Sequence, residues 1–269
     1  MTDAPPVLID RPEPGLALLR LNRPERLNAM SLPALHAVGE ALDGVLADRS
    51  VRVLVLTGEG AGFCAGLDLK SMLDAQGRVD WNVAQAYELQ LAFAGLVERL
   101  RGNDVVVIAA VNGVAVGAGM GLALAADVRF AATGAAFHVG AIRIGITAGE
   151  CGISYHLPRL VGAGRAFELM LTGRPLPAAE ALAWGLVADV VAPELLLERA
   201  MACARQVLAH SPYALAHTKR VMWSNLDAPG LQAAIELENH AQVLGLMTED
   251  FGEAAKAFVE KRGARFRGR

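Results

Sequence analysis

Two stretches of this chain join an apolar strand to a glycine-rich turn and the start of a helix, an arrangement in which the backbone itself can do chemistry. The first runs from VRVLVLTG into GEGAGFCAGLDLKSM, residues 51 to 72; the second is VVVIAAVNGVAVGAGMGLALAAD, residues 105 to 127. Glycine in such a turn lets the backbone approach a ligand closely, and the helix beyond it presents unpaired N–H groups and the positive end of its dipole. Two turns of this kind aimed at one point would hold a developing oxyanion between two N–H donors. Convergence of the turns is therefore the central structural expectation.

The second stretch has 22 consecutive uncharged residues, Val105 to Ala126, enough in length for a transmembrane helix. Its composition argues otherwise: VVVIAAV is short and β-branched, as a buried strand should be, and Asn112, Gly113, Gly117, Gly119 and Gly121 then interrupt it. At 269 residues and 54% hydrophobic, the chain can bury a large core. We expect a core over residues 1–192 and a helical region over 193–269. The net charge of −3 gives no sign of general attraction to nucleic acid or membrane, although the tail KRGARFRGR is locally basic and invites an anionic partner. Cys64, Cys151 and Cys203 lie far apart, without zinc spacing or a disulfide framework, and MTDAPPVLIDRPEPG lacks the features of a secretory signal. A reducing, cytoplasmic setting is expected.

The elements that must position the turns read as follows. GLALLRLNRP is a strand closed by Pro24, and SLPALHAVGEALDGVLAD is an amphipathic helix with Ser31 as N-cap. The first glycine turn opens a helix at about Asp68, and Asp68 is read as that helix's cap. Trp81, Tyr87 and Phe93 fall at helical spacing after a polar loop, AQGRVD, that could cover a site. VRFAATGAAFHV is a strand pair, AIRIGITAGECGISYHLPRLVG is strand, loop and helix, and the chain from Pro193 onward is almost wholly helical. Thr248 caps the last helix without a full capping box. Strands alternating with helices, then a helical tail, give an α/β class.

Five fragments in order, LNRPERLNAM, VLVLTGEGAGFCAGLDLKSM, IAAVNGVAVGAGMGLALAADVRFA, GISYHLPRLVGAGRAFELMLTGRPLPAAEALAWGLV and AFVEKRGARF, make the chain resemble the crotonase, or enoyl-CoA hydratase/isomerase, superfamily along nearly its whole length. The resemblance implies a spiral of ββα units with a C-terminal helical trimerisation region, assembled as a homotrimer or dimer of trimers. It implies an acyl-CoA thioester substrate whose enolate is stabilised by two backbone N–H groups. Those donors fall on Leu67 and Ala118. Arg26, Leu27, Ala65, Asp68, Leu69, Lys70 and Gly117 would line the substrate and its CoA portion, and Phe258 and Lys261 of a neighbouring subunit would close over the nucleotide. No metal, nicotinamide or flavin is implied; coenzyme A enters as part of the substrate.

The chain departs from the hydratase pattern at both usual glutamates: Gly121 occupies one position and Ala141 the other. Neither can shuttle a proton. Glu150, in ITAGECGIS, lies in the loop where dienoyl-CoA isomerases and chlorobenzoyl-CoA dehalogenase carry an aspartate. It could act as the single acid/base of an isomerisation, as a nucleophile in a dehalogenase-like acyl-CoA hydrolase, or merely complement the dipole of the helix that follows. A catalytically silent acyl-CoA sensor or carrier is the alternative from another class. His138 and His156 read as structural, Cys64 and Cys151 as small buried fillers, and Glu168 as structural.

Overall fold

The computed structural model describes residues 4–74, 76–79 and 81–269, so Ala75 and Asp80 of the AQGRVD loop lie outside the described residues. Six strands form the larger sheet in the order β1 (Val7–Glu13), β2 (Leu16–Leu21), β3 (Val53–Gly58), β5 (Val106–Val111), β7 (Val128–Ala132) and β10 (Asp189–Val191). Four short strands form the smaller one: β4 (Gly62–Cys64), β6 (Val114–Val116), β8 (Ala136–His138) and β9 (Pro175–Pro177). From β2 to β10 the larger sheet is parallel, and only β1 runs antiparallel, along its edge. Each of the pairs β3/β4, β5/β6 and β7/β8 places its first strand in the large sheet and its second in the small one. Repetition of that step is the spiral that the resemblance implied.

The chain alternates as buried strands require. In β2, β3 and β5, Leu16, Leu18, Val53, Val55, Val106 and Ile108 face one side and pack under α7 (Leu196–Leu208). The intervening Ala17, Leu19, Leu54, Leu56, Val107 and Ala109 face the other. There they meet α1 (Leu32–Ala47), α2 (Val83–Arg101) and α3 (Ala118–Ala125). All eight residues of α3 are buried, which is why its sequence, AGMGLALA, is apolar on every side. α4 (Ile153–Val161), α5 (Ala163–Thr172) and α6 (Ala178–Ala183) complete the core, and α8 (Pro212–Asn225), α9 (Leu231–Leu246) and α10 (Glu249–Val259) follow α7. No helix among the described residues is long and apolar enough to cross a membrane.

α8 is fastened beneath the sheet by a buried lysine. Lys219 donates to Leu100 O at 3.0 Å and Val105 O at 2.7 Å, and pairs with Asp127 at 3.1 Å. Burial lowers its pKa while Asp127 opposes the shift. Asp127 also accepts from Val107 N and Trp223 Nε1, so one carboxylate ties β5, α8 and the far end of α3 together. α9, by contrast, has no buried residue.

Three local readings change, and one stretch left without an element gains one. Val7–Glu13 is a strand; its polar DRPE half is what an edge strand carries. GAIRI, whose alternating isoleucines mimic a strand, forms a 3₁₀ helix, Gly140–Ile144, closed by Gly145 at φ +83°. The helix expected at Asp68 is one 3₁₀ turn, Leu69–Met72, and the Asp68 side chain does not cap it. Ser31 stands at the N-cap of α1 without a side-chain hydrogen bond, whereas Thr248 accepts from Phe251 N at 3.1 Å as expected. The capping box that does form is on α2, between Asn82 and Gln85.

Candidate active site

The two glycine turns meet. A Cβ placed on Gly66, at φ +77°, would lie 2.6 Å from Val116 O and 3.5 Å from Ala118 N. A Cβ on Gly119 would lie 2.1 Å from Cys64 O, so the first turn of α3 rests directly on the end of β4. Leu67 joins Met30 in a single parallel bridge through its neighbours: Met30 N donates to Gly66 O at 2.7 Å and Asp68 N to Met30 O at 3.0 Å. That alternation points the Leu67 N–H away from Met30. Ala118 is the first residue of α3, behind Gly117, and its N–H has no intrahelical acceptor. Among the described residues neither amide meets a backbone acceptor in the surrounding turns.

Two asparagines, Asn28 buried and Asn112 half-buried, hold the first turn against the second. Asn28, at φ +58° and 2% exposed, accepts from Arg23 N and donates to Glu59 O and Gly62 O. Asn112 donates to Gly60 O and Gly62 O and accepts from Gly58 N, and Thr57 Oγ1 donates to Ala110 O. The β3–β4 corner is thereby bracketed from both sides. Asn112 was legible only as turn punctuation. Asn28, inside LNAM, carried no other local signal than the tolerance of asparagine for the left-handed region.

Glu150 comes to the same place. A Cβ on Gly117, itself at φ +51°, would stand 2.9 Å from Glu150 Oε1. The carboxylate therefore lies against the residue preceding Ala118. Glu150 is half-buried, and burial, with no compensating cation or donor among the described residues, raises its pKa above the ordinary glutamate value. α4 begins only at Ile153, behind the N-cap Gly152, and has no acid in its first turn. The dipole-complement role considered for Glu150 is thus not the geometry adopted.

The remaining expected residues distribute as follows. Leu27, at φ +50° and 40% exposed, accepts from Ala65 N at 2.9 Å; Arg26 is exposed beside it. Leu69 and Lys70 are exposed on the 3₁₀ turn. Asp68, 7% exposed, gives its carboxylate to Arg23 at 3.1 Å rather than to a helix end. Phe258 is 86% exposed at the end of α10, with Lys261 exposed just beyond, at φ +52°. Gly121 and Ala141 are both buried.

The other candidates are structural. His156, 4% exposed, meets Arg101 at 3.0 Å, and burial, then Arg101, Arg129 and Arg159, push its pKa down to about 4. His138 lends its carbonyl to Gly117 N, and burial, then Arg143, lowers its pKa. Burial pushes the thiols of Cys64 and Cys151 up to about 12. Glu168 pairs with Arg174, which also holds Glu180.

With this geometry in place, three comparisons bear on it. The family described as enoyl-CoA hydratase/isomerase matches residues 11–269. The chain is 43% identical over 263 residues to the probable enoyl-CoA hydratase EchA12 of Mycobacterium tuberculosis, covering 97% of this chain and 92% of that one. It is 36% identical over 264 residues to the 1,2-epoxyphenylacetyl-CoA isomerase of Escherichia coli, covering 97% and 98%. The crystal structure of a probable enoyl-CoA hydratase/isomerase from Mycobacterium abscessus superposes with a TM-score of 0.89 at 41% identity, covering 98% of this chain and 99% of that one.

Proposed function

Because the chain belongs to the enoyl-CoA hydratase/isomerase family, we propose that it isomerises an unsaturated acyl-CoA by proton transfer, with Glu150 as its one acid/base. The observation that carries this reading is the meeting of Glu150 Oε1 with Gly117, next to the unengaged amide of Ala118, in a chain whose two usual hydratase positions are Gly121 and Ala141. The thioester oxygen sits between the N–H groups of Leu67 and Ala118. The Glu150 carboxylate takes a proton from the α carbon of a β,γ-unsaturated thioester. The C–H electron pair moves into the carbonyl, giving a dienolate whose oxyanion the two amides stabilise. Return of the same proton to the γ carbon shifts the double bond into conjugation. Atoms and electrons balance without a metal, nicotinamide or flavin.

The name of the Escherichia coli relative, 1,2-epoxyphenylacetyl-CoA isomerase, supports isomerisation of an acyl-CoA on this scaffold. Arg26, Leu27, Ala65 and the run from Leu67 to Lys70 border the first turn and line the CoA portion. We assign the unburied α9 and the exposed Met222, Leu231, Met247 and Phe258 to contacts within a homotrimer or dimer of trimers. In that assembly Phe258 and Lys261 close over a neighbour's nucleotide. The three unpaired cysteines favour a cytoplasmic setting.

Turnover of 3-enoyl- and 2-enoyl-CoA series, with products separated, tests the proposal. We expect interconversion of double-bond positions and no 3-hydroxyacyl-CoA. The base acts when ionised, and burial raises its pKa, so kcat/KM should rise with pH along an acid limb displaced above the ordinary carboxylate range. Rapid hydration of a 2-enoyl-CoA would overturn the reading. Tight acyl-CoA binding with no turnover would favour a silent carrier, the reading that the losses at Gly121 and Ala141 otherwise support.

A further inference from the structure

Gly121 lies directly against Cys151, the residue that follows Glu150. α3 is buried on all sides, and Gly121, whose N–H closes the first turn onto Gly117 O at 2.9 Å, faces the loop that carries Glu150. A Cβ on Gly121 would lie 2.6 Å from Cys151 O and 2.8 Å from Cys151 Cβ, closer than a Cβ approaches such neighbours in a folded chain. Cys151 is 5% exposed and seated in the space that the missing side chain leaves. Its φ is +46°, in the left-handed region that residues with a side chain rarely adopt, and Gly152 follows at φ +73°. The turn is closed by Ile153 N donating to Glu150 O at 2.8 Å and His156 N to Gly152 O at 2.9 Å. One residue before Cys151, the Glu150 carboxylate reaches Gly117.

We infer that Gly121 is a positioning residue that sets the reaction type: the notch it leaves in α3 receives Cys151 and so delivers Glu150 to the oxyanion turn. A side chain at 121 displaces the Cys151 backbone and carries Glu150 with it. The carboxylate of a hydratase therefore cannot be added at this position while the single base of this chain is kept. This inference rests on the reading of Glu150 as the base.

The test uses the full-length enzyme and its 3-enoyl-CoA isomerisation. Gly121→Ala should lower kcat by ~10²-fold, the scale of a misplacement of about 1 Å at a reacting group, with KM nearly unchanged because the amides and the CoA-lining segments stay in place. In a Glu150→Gln background the same change should cost little of the residual rate, since its effect runs through Glu150. Adding Cys151→Gly to Gly121→Ala should restore part of kcat, because glycine removes the Cβ contact and lets the loop yield. Gly121→Glu should lose isomerisation and gain no hydration. An equal loss from Gly121→Ala in both backgrounds would overturn the coupling alone, as would hydration by Gly121→Glu. Full turnover by Glu150→Gln on its own would remove the base reading and the inference together.

Discussion

Glu150→Gln should lower isomerisation by ~10²–10⁴-fold, the usual range for loss of a general base, while leaving acyl-CoA affinity nearly unchanged. The amide is close to the carboxylate in size and cannot accept the substrate proton, and neither oxyanion donor nor any proposed CoA-lining residue is altered. The same variant should melt higher than the wild type at neutral pH. Burial holds the Glu150 pKa above its unfolded value, so the folded state binds the proton more tightly than the unfolded one. Its contribution is fully present below the unfolded pKa and is lost as pH rises through the folded pKa. At neutral pH the ionised carboxylate therefore disfavours the native state, and an uncharged isostere relieves that cost. Matched thermal melts and turnover at pH 7 check both parts; a variant that is inactive but less stable would point to a structural role.

Ala118→Pro should lower kcat by ~10²–10³-fold, the cost of one oxyanion donor. Proline removes a backbone N–H that has no intrahelical acceptor in any case, at the first position of α3, where its fixed φ suits a helix start. Gly117, at φ 51° and ψ −119°, lies outside the right-handed helical region that a following proline disfavours. The fold should therefore persist, with a circular dichroism spectrum like that of the wild type. Loss of rate in a folded protein isolates the donor; unaltered kcat would mean that the thioester oxygen sits elsewhere.

The parts of this fold that show in the sequence are those with a strong period or a strong turn. The β-branched runs at 53–58 and 106–111 bury both faces and read as continuous apolar strands, and the glycines after them could only be turns. α3 was legible as a helix start because an all-apolar octet following such a turn has nowhere to go but the core. What stayed hidden depends on tertiary context. GAIRI alternates like a strand but is wound into a 3₁₀ turn closed by Gly145, and Val7–Glu13 gains strand form only by pairing with Leu16–Leu21. Asp68 looked like a cap because its partner, Arg23, is distant in the chain.

The candidate site divides in the same way. Both amide-bearing turns were visible, yet their meeting depends on close approaches between backbones: Gly66 on Val116 and Gly119 on Cys64. The family pattern showed that two carboxylates were missing at Gly121 and Ala141. It could not show that Cys151 occupies the vacated space, because that contact joins residues thirty positions apart through a left-handed turn.

Exchange of α-protons with solvent tests the central claim without knowledge of the natural substrate. A saturated acyl-CoA that binds cannot isomerise, but a base and an oxyanion hole will still form its enolate and return solvent hydrogen to the α carbon. Proton NMR in D2O should show loss of the α-proton signal of butyryl-CoA with wild-type protein and essentially none with Glu150→Gln. Exchange that persists undiminished in the variant, or no exchange in a wild-type protein saturated with thioester, would contradict the account.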